Sequence, residues 1–217
     1  MSEKPILFSA PMVRAILAGH KTQTRRVLKP QPGVGQSAHL CSTAGIDWQI
    51  RGGLGQVLSS EMLPYAFGHT LWVREAWRAH AEHDANSPLD IPPGSPVQYL
   101  ADDPLSPWLS KTRASIHMPR WASRIDLRVT GVRIKRLQDT SEDDAMAEGI
   151  VSWHDDGRRP HEHISAVGCQ GTQRDLIASY WGSASQAFRV LWESINGSGA
   201  WDQNPWVAAI TFERVKP

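Results

Sequence analysis

The segment Lys21-Thr22-Gln23-Thr24-Arg25-Arg26 concentrates a lysine, two threonine hydroxyls and two guanidinium groups within six residues. A lysine held against a threonine hydroxyl takes its proton once burial lowers the lysine pKa, and a nearby carboxylate orients the ammonium or shuttles a proton. That is a hydrolase constellation. Taken alone, the same six residues read first as a turn with solvated basic side chains. Glu148 ends a short helical stretch, facing the negative end of the helix dipole, so its stabilising partner must come from elsewhere in the fold.

Other reactive side chains carry weaker patterns. His80-Ala81-Glu82-His83 and His161-Glu162-His163 place nitrogen and oxygen donors close together, but neither has the His-Glu-x-x-His order of a helical zinc site, and both read as surface histidines. No metal and no cofactor are expected. Cys41 and Cys169 lack any companion motif and read as inert thiols. Gly33-Val34-Gly35 and Gly52-Gly53-Leu54-Gly55 resemble fragments of phosphate loops, without the preceding strand and following helix such a loop requires. Of the ten tryptophans, Trp72, Trp181, Trp192 and Trp206 lie on strand or helix patterns and read as core; Trp48, Trp108, Trp121 and Trp153 lie in irregular or basic segments, where a ring either anchors a loop or stacks on a nucleobase.

The elements that must position these groups are legible in part. Ile6-Leu7-Phe8 reads as a strand. A helix follows, with Ser9 as cap, Pro11 in its first turn, an apolar stripe of Met12, Val13, Ile16 and Leu17, and Gly19 as a left-handed stop. Thr70–Glu75 alternates as a strand after a turn at Gly68-His69. Arg124–Thr130 alternates strictly and resumes after Gly131 to Leu137, which predicts one long strand interrupted by a bulge. Thr140 and Ser141 each precede an acid by three residues, predicting a short helix that Gly149 stops. Residues 172–196 carry helical periodicity, split near Gly182, and Trp206–Val215 reads as a final buried strand. Three stretches, at about 30–64, 79–113 and 151–171, read as insertions without regular structure, apart from one possible strand at Val97–Leu100.

The chain has 217 residues, 23 Lys+Arg against 22 Asp+Glu, a net charge of +1 and 41% hydrophobic residues. That supplies a packed core for one elaborated domain and argues against a binder relying on bulk charge. Basic blocks at 1–30 and 111–136 nevertheless coexist with an acidic one at 139–156. Two cysteines make no disulfide framework, and no stretch reaches the roughly 20 apolar residues of a membrane span, so a cytoplasmic protein with no membrane partner is expected. Strands separated by irregular excursions favour an α+β domain around a mixed or barrel-like sheet over a doubly wound one.

Ile6-Leu7-Phe8 with Ile16–Arg26 resembles the opening motif of the ASCH superfamily, whose members share a PUA-like β-barrel. Gly68–Glu75 is similar to that family's second block and Trp206–Val215 to its closing strand, while Ser115–Arg124 resembles the ASCH-type proteins of phages and prophages. The matched blocks span about half of the chain, treated as a single domain 1–217; the insertions make up the rest. The resemblance implies a PUA-like mixed barrel with flanking helices and long loop insertions. Within the superfamily, small bacterial 4-acetylcytidine amidohydrolases use a Lys and a Thr of a Lys-Thr-x-Thr segment plus a distant Glu. Lys21 and Thr24 fall on the first two, and Glu148 on the third, because Leu137–Glu148 is similar to the stretch leading to that acid. Phe8 matches an aromatic near the pocket and Arg26 a basic position after the motif, both expected to bind substrate. Glu75 is a rival acid that closes its strand block. His69 stands where the family usually has Asp.

On this resemblance the chain is expected to be a metal-independent amidohydrolase that removes an acyl group from N4-acylated cytidine or a related nucleoside. Thr24 attacks, Lys21 carries the proton, Glu148 holds Lys21 or assists the leaving amine, and Arg26 stabilises the oxyanion. The alternative is a non-catalytic module for RNA or modified nucleobases, in which Lys21, Arg25, Arg26 and the 111–136 block contact phosphate; a nuclease is a third possibility. The expected partner is therefore a nucleoside or RNA ligand.

Overall fold

A computed structural model describes residues 2–41, 47–102, 110–154, 162–166 and 183–215, with the backbone alone at 151–154 and 162–166. In chain order the elements are β1 (Glu3–Leu7), α1 (Ala10–Leu17), β2 (Gln23–Val27), β3 (Ser37–Leu40), β4 (Asp47–Arg51), β5 (Val57–Met62), β6 (Thr70–Arg74), β7 (Trp77–Ala79), β8 (Val97–Tyr99), β9 (Asp126–Arg136), α2 (Glu142–Ala147), β10 (Ile150–His154), β11 (Glu162–Ala166), α3 (Ala184–Asn196) and β12 (Trp206–Val215). The class is α+β. Among the described residues no helix is long and apolar enough to cross a membrane.

The main sheet has the order β1-β6-β9-β12-β2, parallel between β1 and β6 and antiparallel elsewhere. It is open among the described residues, with β1 and β2 as its edges. The edges approach closely enough for Arg26 Nη2 to donate to Leu7 O at 2.8 Å, a side-chain bond where a closed barrel would have a ladder. β9 and β12 form the longest pairing. Its register shifts between Thr211 and Phe212, opposite Gly131 and Val129, which leaves Thr130 as the extra residue of the expected bulge. The alternation that predicts β9 aims Leu127 and Val129 into a core with Ile6, Leu71, Val73, Ile210 and Phe212. α1 closes that core with Val13 and Ile16, begins beside Pro11 and ends where Gly19 turns left-handed at φ 80°. Ser9 occupies the N-cap position without a side-chain capping bond.

The stretches expected to be irregular hold regular structure. Within 30–64, β3, β4 and β5 form an antiparallel meander. Gly52–Gly55 is the β4–β5 turn, closed by Gly52 N to Gln56 O and Gly55 N to Gly52 O, and not a phosphate loop. Trp48 and Ile50 alternate into the main core, so Trp48 is core and does not offer a stacking face. Within 79–113, β8 pairs with β7 over a separate core of Trp77, Ile91 and Met118, against which Trp121 packs edge to face at 6.2 Å from Trp77. Within 151–171, β10 and β11 form a hairpin. Leu176, Ile177, Tyr180, Trp181 and Trp108 lie outside the described residues; the later half of the predicted helical stretch is α3, capped by Ser183 and buried through Ala187, Phe188, Leu191 and Trp192. His69 serves its turn directly, its Nδ1 accepting from Ala66 N at 3.3 Å.

A core role for the meander makes a measurable difference between two of its residues. Trp48→Ala should lower unfolding stability by about 3–5 kcal/mol, whereas Leu54→Ala, at the 95%-exposed tip of the turn, should leave the denaturation midpoint unchanged. Equal, negligible effects in urea titrations would return residues 30–64 to the status of a loose insertion.

Candidate functional site

Lys21 is brought to Glu148 by main-chain contacts before any side chain acts. Past Gly19 the chain doubles back, and the N–H groups of His20 and Lys21 both bond to Ala15 O. Thr22 N then donates to Ala147 O at 2.9 Å, and Lys21 forms an isolated antiparallel bridge with Glu148. The end of α2 is thus docked on the turn between α1 and β2. Gly149 follows at φ 97°, and a Cβ there would stand 3.3 Å from the Cβ atoms of both Ala15 and Lys21.

From that base the side chains converge. Lys21 Nζ donates to Glu148 Oε2 at 2.7 Å and to Glu148 O at 2.9 Å, while Arg25 Nη1 donates to Glu148 Oε1 at 2.8 Å. All three residues are at most 5% exposed. Arg25 Nη2 lies 3.0 Å from Asp144 Oδ2 as an ion pair without hydrogen-bond alignment. Asp144 Oδ1 accepts from Arg133 Nη2 at 2.6 Å, and Gln23 Oε1 accepts from the same Arg133 nitrogen at 2.6 Å. The spacing explains the convergence. Lys21, Gln23 and Arg25 alternate onto one side of the strand, and Asp144 and Glu148, four apart, share one face of α2 and its cap.

Burial and charge then set the protonation. Loss of solvation pushes the Lys21 ammonium below its ordinary 10.5, the Glu148 carboxylate opposes that, and the charges of Arg26 and Arg25 reinforce it. Burial would raise Asp144, but the Arg133 hydrogen bond and the Arg25, Arg133 and Lys135 charges outweigh it and hold the carboxyl below its ordinary range.

Glu148 also reaches a cleft of about 260 Å³ beside β2, lined by Thr24, Arg25, Arg26 and, from α3, Phe188, Leu191 and Trp192. The Trp192 indole N–H is buried and has no hydrogen-bond partner among the described residues. Phe8 lies under both cations, 5.9 Å from Lys21 Nζ and 5.7 Å from the Arg26 guanidinium. The structure therefore gathers Phe8, Lys21, Arg26 and Glu148 around one point and puts Thr24 on the adjoining cleft; the hydrogen bonds of Lys21 Nζ go to Glu148 and not to Thr24. Glu75 lies elsewhere. It is buried in a cluster where Arg124 donates to both its carboxylate oxygens at 2.9 and 3.1 Å, bonds Asp102 at 2.6 and 2.8 Å, and covers Tyr99 at 3.8 Å. Desolvation raises the Glu75 carboxyl against the pull of Arg124.

Sequence reasoning assigned Arg25 to phosphate, yet it is committed to the two acids; it also left Gln23, Asp144 and Arg133 out of the site. The i,i+4 placement of Asp144 and Glu148 is the signal that points to them. Of the basic turn expected at 20–26, Gln23 to Arg26 belong to β2, with Gln23, Thr24 and Arg25 buried and Arg26 exposed. Among the described residues no group of three or more His, Cys, Asp or Glu could hold a metal ion. His80 and His83 flank exposed Glu82 at 3.4 and 3.6 Å, and Cys41 is exposed. Cys169 and His161 lie outside the described residues, and the side chains of Trp153 and His163 are not described. Comparison of the chain with protein-family models, with curated proteins and with solved structures returned no match.

Removing one member of the buried set separates its roles. Glu148→Ala strands Lys21 and Arg25 without their carboxylate and should cost about 3–5 kcal/mol of unfolding free energy. Lys21→Met leaves Glu148 paired with Arg25 and should cost clearly less. Urea denaturation of the two variants reads the difference, and the reverse order would show that Arg25 does not neutralise Glu148.

Proposed function

We propose that the chain is a metal-independent amidohydrolase that removes an acyl group from N4-acylated cytidine or a related modified nucleoside. The observation that carries this reading is the buried Lys21–Glu148 pair, 127 residues apart in sequence, beside a cleft that Thr24 and Arg26 also line. A desolvated lysine is the residue whose neutral form can act as a base near neutral pH. Within the same proposal, the curved mixed sheet whose two edges Arg26 bridges corresponds to a PUA-like wall of the ASCH type, elaborated by the β3–β5 meander and the β7–β8 excursion.

In the proposed reaction neutral Lys21 Nζ, two of its positions engaged by Glu148, accepts the proton of Thr24 Oγ as that oxygen bonds to the acyl carbon. The carbonyl electrons move to oxygen, where Arg26 stabilises the charge. Collapse breaks the bond from the acyl carbon to N4, and the departing amine takes the proton from Lys21. Water gives a proton to the same lysine as it adds to the Thr24 ester; the ester C–O bond then breaks, the lysine returns that proton to Thr24 Oγ, and the released carboxylic acid ionises into solvent. Glu148 holds Lys21 in place, and Arg25 bonds the other carboxylate oxygen of Glu148. A purely nucleic-acid-binding module would use the exposed cations and leave this hydroxyl–lysine–carboxylate set without a task.

Purified protein incubated with 4-acetylcytidine without added metal should release cytidine, followed by chromatography. Lys21→Ala and Thr24→Ala should each lower kcat/KM by about 10²–10⁴-fold while remaining folded by circular dichroism; activity of either within tenfold of wild type removes that residue from the chemistry. The base must be deprotonated, so the rate should climb with rising pH and level off below the ordinary lysine value of 10.5. A profile flat from pH 6 to 10 would contradict the role of Lys21.

A further inference from the structure

β2 is an edge strand, and its outer end is a wall shared by two cavities. Arg26, Val27 and Lys29 line both the cleft at Glu148 and a second cavity of about 210 Å³. The second cavity is apolar, formed by Trp48, Leu63, Pro64, Tyr65, Met62 and Ile210, with no acidic residue among its lining. Thr22 and Leu28 bond to β12, through Phe212 N to Thr22 O and Leu28 N to Trp206 O. Alternation therefore turns the backbone N–H and C=O of Arg25 and Val27 away from the sheet.

The charges divide sharply along this strand. Lys21 and Arg25 are neutralised by Glu148 and Asp144. Arg26 and Lys29 are exposed and form no ion pair among the described residues; the Arg26 guanidinium donates to the Leu7 carbonyl, lies over the Phe8 ring and acts through its charge on Lys21 and Tyr65. Two exposed cations, three positions apart, thus stand between a cleft that Thr24 and Glu148 line and an apolar slot with no acidic residue among its lining. A free nucleoside in the first brings its acyl oxygen to Arg26 and has nothing to offer Lys29 or the second cavity.

Resting on the amidohydrolase reading, we propose that the substrate is a phosphodiester-linked nucleotide. Its acylated cytosine enters the cleft at Thr24 and Arg26, the phosphate on its ribose lies against Lys29, and the base of the adjacent nucleotide enters the slot beside Tyr65 and Met62. The Lys29 ammonium matches phosphate oxygens, and an apolar, partly aromatic slot accepts any base face without reading its sequence.

Binding tests the seat independently of turnover. Calorimetry with three unacylated probes, cytidine, cytidine monophosphate and a cytidine-containing dinucleotide, should give affinities that rise in that order, by about tenfold for the phosphate and further for the second base. Lys29→Ala should bring the dinucleotide close to cytidine, and raising the salt should shrink the phosphate gain. Met62→Asp, at an exposed position, should bring the dinucleotide to the level of the monophosphate. Equal affinity for all three probes, or a Lys29→Ala effect that is the same on cytidine as on the dinucleotide, overturns the seat. Deacylation of the nucleoside with no gain from phosphate would overturn it while leaving the amidohydrolase intact; phosphate-dependent binding with no deacylation of any acylated probe would overturn the hydrolase and keep the seat.

Discussion

The arrangement of this protein turns on a buried ionic network. Lys21 and Arg25 are removed from water together with Glu148 and Asp144. Each desolvated ion costs several kcal/mol before pairing returns any of it, so packed apolar side chains would hold the same elements more cheaply. The set is therefore a poor explanation of stability and a good explanation of geometry. It dictates that α2 must end against the turn after α1, that β2 must present its odd-numbered side chains to α2, and that β9 must bring Arg133 to the same acids. α3 completes the enclosure by placing Phe188 5.3 Å under the Arg25 guanidinium.

How much of this was legible in the sequence follows from which interactions are local. β9, β12, α1 and α2 announce themselves through alternation, apolar stripes and caps, each set by neighbours a few residues away. The bulge at Gly131 and the unmet partner of Glu148 were readable for the same reason. β2 was not, because Lys21, Arg25 and Arg26 look like solvent-seeking residues until the acids that neutralise two of them, more than a hundred positions downstream, are in view. The β3–β5 meander was hidden by its glycines and serines: only Trp48 and Ile50 on the central strand mark an inward face. Glu75 shows the converse. Closing a strand block beside the candidate motif did not bring it to Lys21, since Arg124 claims both its oxygens.

The excursion from β7 to β8 and the meander from β3 to β5 differ in what they do for the cleft. The first has its own small core and is tied to the main sheet by Arg124, which joins Glu75 at the end of β6 to Asp102 and Tyr99. The second shares the main core through Trp48 and supplies one wall of the apolar slot. The first is thus fastened at the end of β6, away from Lys21, while the second is continuous with the main core.

Gly149 gives the pair of Lys21 and Glu148 a property that side-chain distances alone do not convey. With no room for a methyl group behind it, the main chain of the acid lies against the aliphatic stem of the lysine, and the carbonyl of Glu148 is itself a ligand of Nζ. Nζ thus meets both the carboxylate and the main-chain carbonyl of one residue. In the proposed hydrolase, a charge developing in the cleft would meet dipoles that the folded chain has already oriented, where water would first have to reorganise.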